Sequence, residues 1–381
     1  MADAAQPAPA TRSKGWRSWW HRRIASPAFQ DWAARFPLTR GLARRDGAEI
    51  FDLVQGFVIS QALMALIELR VLHRLMDGPQ SAAALGPLCS VPVDRMEILL
   101  QAGAAMGLLQ RRRDGRFGLA RKGAALLGVP GLEPMIRHHK AFYRDLEDPV
   151  ALLRGQGRGE LAAFWPYVFG AGGATDPEVT ATYSDLMAQS QHLVAQDTLR
   201  QVDLSGVTRL LDLGGGTGAF LSAVARAHPK LELHLFDLPL VRDGASARFD
   251  KEDLTGRVTV HGGSFRDDPL PAGADAISLI RVLYDHTDDT VRALLAKVFA
   301  TLPPGGRLIV SEPMGGGHKP ERAGDVYFAF YTMAMGTGRA RSARRIAELA
   351  AEAGFVQAEI LRPARPYVTS VVTAQKPGAS T

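Results

Sequence analysis

The chain has 381 residues, 46% of them apolar and 22% charged, which is room for two domains with a large core and ordinary for a globular protein. Its single cysteine, Cys89, excludes an intrachain disulfide and a cysteine-built zinc site and fits a reducing compartment. The net charge of +6 is local: residues 1–45 hold nine Arg/Lys and two Asp, whereas the remainder carries 36 cations against 37 anions, so the body is no polyanion binder.

Residues 1–45 form a basic leader that also contains Trp16, Trp19, Trp20 and Trp32. Cations interleaved with Trp suit an interfacial helix on an anionic membrane. A dimer-packing or poorly ordered extension explains the same residues, and both readings stand. No uninterrupted apolar core precedes a small-residue cleavage site, so a secretory signal is not expected. The protein is expected in the cytoplasm, with peripheral contact at the inner membrane face if the leader adheres.

From 48 to 76 the apolar spacing is helical and stops at Asp77-Gly78-Pro79. Asp52, Gln55, Gln61, Glu68 and Arg70 make this stretch too polar to span a bilayer and right for packing in a protein core. Residues up to 130 then read as helix, turn, helix and a hairpin closed by Asp114-Gly115, the order of a winged helix. The second of these helices, from Val93, offers Arg95 as its one cation beside Asp94 and Glu97, so it is a poor reader of DNA and a better packing or dimerisation module. Residues 131–200 read as mostly helical, with Trp165, Tyr183 and Met187 as candidates to line a substrate cavity.

From 201 onward short Val/Ile/Leu-rich runs alternate with helical segments, predicting a doubly wound, mostly parallel α/β sheet that ends in the strand PYVTSVVTAQ. LLDLGGGTGAF runs from a strand through Gly214, Gly216 and Gly218 into a helix. Glycines there let a ligand approach the backbone, and the N–H groups at the helix start favour an anion. Gly214-x-Gly216-x-x-Ala219 also fits a dinucleotide fingerprint. Asp212 two residues before the first glycine, Asp237 after the next strand and GGSF after the third favour S-adenosylmethionine: Asp212 would face the ammonium group and Asp237 the ribose hydroxyls.

DLGGGTG, FDLP, GGSF, VLYDHTDD and LPPGGRLIVSE follow one another as in the caffeate-type O-methyltransferases, a family that residues 45–375 resemble. The resemblance implies a class I methyltransferase fold, a winged-helix N-terminal dimerisation domain and a homodimer. It implies cofactor contacts at Gly214–Gly218, Asp237, Leu238, Ser264 and Phe265, with Asp285 on the cofactor side. The family's catalytic Leu-His-Asp-Trp reads Leu283-Tyr284-Asp285-His286 here, so Tyr284 takes the base position and His286 that of an adenine-stacking Trp. The Glu that orients the family's His persists as Glu312, and a second family Glu is replaced by Ala340.

A His base suits a phenol, whereas an aliphatic alcohol is too weak an acid to be deprotonated first and depends on alignment. His286 reads as a shifted base, as a ring against adenine, or as a rim residue, while Tyr284 and Glu312 are the other catalytic candidates. The Tyr-Asp-His variant and the Trp-rich leader resemble the branch of the family that methylates the tertiary hydroxyl of acyclic carotenoids in purple photosynthetic bacteria. That implies a lipophilic small-molecule substrate. A phenol or polyketide methyltransferase, a scaffold that keeps the cofactor without transferring methyl, and a winged-helix regulator with S-adenosylmethionine as effector are the alternatives. No metal is expected: Asp288 and Asp289 suit a helix start, and His138-His139 lack further ligands of matching spacing.

Overall fold

The computed structural model describes residues 15–156, 159–164 and 177–379, without the side chains of 164 and 177–187. Two compact units divide the chain, residues 1–71 with 77–119 and residues 72–76 with 120–381.

In the first unit the leader is helical over Trp16–Ile24 and Pro27–Arg35, and a third helix runs Arg40–Glu68, across the expected boundary at 45. Trp19, Trp20, Phe29, Trp32 and Phe36 form a continuous ladder of ring contacts with centroids 4.9–6.2 Å apart. Arg70 at φ +53° ends the long helical run. Helices Ala82–Leu88 and Val93–Ala105 follow, then strands β1 (Leu109–Arg111) and β2 (Phe117–Leu119) around Gly115. The long helix is barely covered by its own chain. Helix Arg40–Glu68 buries only Met64, Leu66 and Ile67, and it is long and apolar enough by length and composition to cross a membrane. Phe51, Leu53, Val54 and Phe57 stand exposed in the single chain. Apolar spacing reports that a helix wants cover; it does not say that the same chain supplies it.

In the second unit the expected strands appear as β3 (Arg209–Leu213), β4 (Glu232–Asp237), β5 (Val258–Gly262), β6 (Ala276–Ile280) and β7 (Arg307–Glu312). They pair in parallel in the order β5-β4-β3-β6-β7. Strands β8 (Val356–Ile360) and β9 (Ser370–Gln375) complete the sheet, with β9 antiparallel between β7 and β8. Period-two alternation sends Leu211 and Leu213 to one face, with Val291, Leu294, Ile346 and Leu349, and Leu210 to the other, with Phe220, Val224, Ala245 and Phe249. Helices Asp288–Thr301 and Ala343–Glu352 cover the first face; Pro177–Gln201, Ala219–Ala227 and Pro239–Lys251 cover the second. Strand order reverses between β3 and β6, and the crevice beyond their carboxyl ends is where such sheets bind ligands.

Candidate active site

The glycine loop leaves β3 at that crevice. Gly214, Gly216 and Gly218 all take positive φ. A Cβ on Gly215 would lie 2.6 Å from Oδ2 of Asp212, and one on Gly214 would lie 2.9 Å from Val282 beyond β6. Close packing on both sides therefore demands glycine. Asp237, ending β4, accepts from Gly216 N–H at 2.7 Å through Oδ2 and from Leu238 N–H at 2.7 Å through Oδ1, so it fixes the loop from the neighbouring strand. Burial raises its carboxyl above the ordinary range.

Asp212 lies on the strand face it shares with Leu210 and is fully buried. Ser278 on β6 donates to its Oδ1 at 2.6 Å, and Oδ2 has no hydrogen-bond partner. Burial pushes its pKa up to about 7, with the Asp237 charge adding to the rise and the Ser278 bond opposing it.

The apolar run before Asp285 predicts a strand that delivers Tyr284 to the edge of the sheet, and the turn after β6 corrects this. The strand stops at Ile280 instead of carrying Tyr284 to its end, and residues Leu283–Asp285 form a single 3₁₀ turn. Arg281 breaks the strand: it takes φ +60° while its N–H still donates to Ser311 on β7 at 2.8 Å. Its guanidinium donates to the Ser190 hydroxyl at 2.8 Å and to the Tyr284 hydroxyl at 3.3 Å. Tyr284 is buried, and burial raises its phenol above the usual value, opposed by Arg281. It keeps its proton at neutral pH.

Glu312, ending β7, has no exposed surface and accepts from Tyr284 N–H at 3.0 Å through Oε2, while Oε1 has no hydrogen-bond partner among the described residues. Burial lifts its pKa to about 7. Asp285 is 7% exposed, and its Oδ1 also lacks a partner. Burial raises it well above the carboxylate range; Arg281 pulls it down and Glu312 pushes it further up. Tyr327 and Tyr331 bond His139 and His138 at 2.7 and 2.9 Å.

His286 lies 6% exposed with its ring edge-to-face on Phe265 at 5.3 Å. Its Nδ1 is 3.1 Å from Nη2 of Arg266. A guanidinium can only donate, so Nδ1 accepts and the ring proton sits on Nε2. Burial, with the Arg266 and Arg341 cations beside it, pushes its pKa down to about 3. The imidazole is neutral and its one lone pair is committed. Ser264 is equally committed, donating to Asp267 at 2.9 Å and accepting from Arg266 N–H at 3.2 Å. Trp165 lies outside the described residues, and Tyr183 and Met187 are among the side chains not described.

Residues 143–356 match the O-methyltransferase domain family, and residues 51–128 match the O-methyltransferase dimerisation domain. The chain belongs to the O-methyltransferase family. It is 60% identical, over 93% of its length and 94% of the relative's, to a demethylspheroidene O-methyltransferase of Cereibacter sphaeroides. It is 50% identical, over 97% and 93%, to a demethylspheroidene O-methyltransferase of Rhodobacter capsulatus. Human N-acetylserotonin methyltransferase, solved in complex with S-adenosylmethionine, shares the fold at TM-score 0.73 and 23% identity, over 87% of this chain and 98% of that one. This O-methyltransferase is a homodimer through its dimerisation domain.

The crevice suits the S-adenosylmethionine expected from the sequence. A Cβ on Gly216 would enter open space, so the backbone there can be approached. The unpartnered Oδ2 of Asp212 offers an acceptor beneath the loop. Sequence reasoning missed Arg281 and Arg341. Arg341, 2% exposed, donates to Asp288 Oδ1 at 2.9 and 2.7 Å, to the Leu283 carbonyl at 2.9 Å and to the His286 carbonyl at 2.7 Å, pinning the turn from both ends. A lone Arg inside the apolar run IRVL was the available signal for Arg281, because a buried cation needs partners.

Proposed function

We propose that the enzyme transfers the methyl group of S-adenosylmethionine to the tertiary hydroxyl of an acyclic carotenoid. The observation that carries this reading is the near-full-length relation to two demethylspheroidene O-methyltransferases. The chemistry of the turn supports it: the His286 imidazole is engaged by Arg266 and is not free to act as a strong base, and a tertiary alcohol has little use for one. Bound S-adenosylmethionine supplies an electrophilic methyl group. The chain's own residues hold and aim the partners, and fixed geometry of this kind is worth roughly 7–11 kcal/mol of barrier.

In this reading the Gly214–Gly218 backbone cradles the donor, Asp212 meets its ammonium group, and Asp237 takes the ribose hydroxyls. Leu238, Phe265 and His286 flank the adenine, with Ser264 holding the Phe265 turn. The Phe265–His286 contact favours His286 as a ring against adenine over His286 as a base. Tyr284 hydrogen-bonds the substrate oxygen, and Glu312 holds the Tyr284 turn from beneath through the Tyr284 N–H. The boundaries 1–45, 46–130, 131–200 and 201–381 describe leader, dimerisation module, substrate-lining helices and cofactor domain.

The leader contacts an anionic membrane, where a lipophilic polyene resides. Trp16, 75% exposed, and the exposed Trp19 and Trp32 lie among Arg17, Arg22, Arg23 and Arg35. Deleting residues 1–36 should cut binding to phosphatidylserine-containing liposomes and leave donor affinity unchanged; equal liposome binding by both forms rejects this contact. Methyl transfer from labelled donor to a hydroxycarotenoid, set against a panel of phenols, tests the activity. Turnover confined to phenols would overturn the substrate class.

A further inference from the structure

Two carboxyl groups lie at the Tyr284 turn with an oxygen each that has no hydrogen-bond partner among the described residues: Oδ1 of Asp285 and Oε1 of Glu312. A buried acceptor left unmet costs about 1–3 kcal/mol, and such atoms persist where a ligand meets them. The two are not equivalent. Glu312 has no exposed surface, and its other oxygen is tied to the Tyr284 N–H beneath the turn. Asp285 rides on the turn itself, keeps 7% of its surface exposed, and has its backbone carbonyl held by the Thr337 hydroxyl at 2.8 Å.

We propose that Asp285 receives the substrate's hydroxyl proton through its unoccupied oxygen, making it a catalytic residue and not a cofactor contact. This rests on the methyl-transfer reading above. It fills the vacancy left where the family's base position holds Tyr284, whose phenol is already bonded by Arg281, and where the imidazole of the same turn, His286, is engaged by Arg266. As the substrate oxygen bonds the methyl carbon, the carbon–sulfur electron pair returns to sulfur and the O–H proton passes to Asp285, leaving a neutral carboxyl. An oxygen carrying both a proton and a new alkyl group is so acidic that a carboxylate suffices. Arg281 and Tyr284 flank Asp285 on its own segment; Glu312 faces it from β7 and Tyr331 from helix Ala329–Ala334. Arg281 stabilises the ionised acceptor, and the Glu312 charge drives the proton onto the pair.

The test compares full-length wild type, Asp285→Asn and Asp285→Glu. Donor affinity is read by calorimetry, and single-turnover methyl transfer to a hydroxycarotenoid in mixed micelles is followed from pH 5 to 9. Asp285→Asn should lose about 10²- to 10⁴-fold in rate with donor affinity within about threefold, and Asp285→Glu should recover part of it. In wild type at saturating donor the rate should fall as pH is lowered, because the acceptor must be ionised. A rate for Asp285→Asn within fivefold of wild type (about 1 kcal/mol), a loss confined to donor affinity, or a wild-type rate flat down to pH 5 would each overturn the proposal. Glu312→Gln separates the two carboxyls even if the Asn variant fails to fold: the pH dependence of the rate should survive it, and its disappearance would assign the titration to Glu312 and overturn the proposal. If wild type methylates only phenols, the substrate reading fails separately, and the same variants read on a phenol still judge Asp285.

Discussion

Gly216 and Gly218 offer a controlled pair of substitutions, because they share one backbone penalty and differ in what a methyl group would meet. Both take positive φ, +58° and +79°, where a Cβ costs about 1–2 kcal/mol. On Gly216 that Cβ finds nothing within 4 Å; on Gly218 it would lie 2.2 Å from Cζ of Phe249. Phe249 is 1% exposed and packed with Phe220 and Leu254, so relief means moving a core ring, about 1–3 kcal/mol more. Gly218→Ala should therefore lose about 2–5 kcal/mol and Gly216→Ala about 1–2 kcal/mol. Donor affinity should show the reverse order, since the Gly216 methyl enters the space the ligand needs and should weaken binding at least tenfold. Urea unfolding and calorimetry on the two purified variants measure both quantities. Stabilities equal within about 0.5 kcal/mol, or Gly216→Ala binding as tightly as wild type, would refute this account of the loop.

Arg341→Ala should cost about 3–5 kcal/mol by leaving Asp288 and two turn carbonyls without their buried donor, and should lower kcat more than donor affinity. Arg341→Lys should restore a fraction of both; full activity in the Ala variant would show the turn needs no clamp. His286→Ala should weaken donor binding about tenfold yet leave single-turnover rate at saturation within a few fold, and His286→Trp should retain binding. A rate collapse with intact affinity would return His286 to the role of base. Glu312 has a folded pKa of about 7 against an ordinary 4.5, so the folded state keeps a proton that the unfolded chain has released between those values. Its contribution is fully present below pH 4.5 and is lost as pH rises through 7, worth about 3 kcal/mol by pH 8. Glu312→Gln should remove that pH dependence in urea melts at pH 5 and 8; the same dependence in both proteins would rule it out.

The glycine loop, Asp237 and the five parallel strands were legible because each depends on a few local residues: glycines where φ must be positive, apolar runs where both sheet faces are covered. Strand β8 was not, since all five of its residues, VQAEI, are exposed and the segment lacks the alternation of a half-buried strand. The end of β6 was misjudged because the apolar run continues through Val282 and Leu283 after the backbone has already turned at Arg281. Burial in the turn was equally invisible. His286 looked like a free imidazole in the sequence, and only the placement of Arg266, twenty residues earlier, shows its lone pair to be taken. Arg341 sits in a loop of the cofactor unit whose sequence, RARS, reads as solvated charge, yet it is among the most enclosed cations of the described residues.

Strand β9 forms six rungs with β7 and lies between it and β8, although it follows every other strand in the chain. A ribosome making this protein therefore releases β7 long before the neighbour that seals its open side. Until Gln375 has cleared the exit tunnel the nascent sheet presents a raw margin along β7. A nonsense codon between Ile360 and Ser370 would strip β7 and β8 of their shared partner, so a truncated product should be a substrate for proteolysis and not a weakened enzyme.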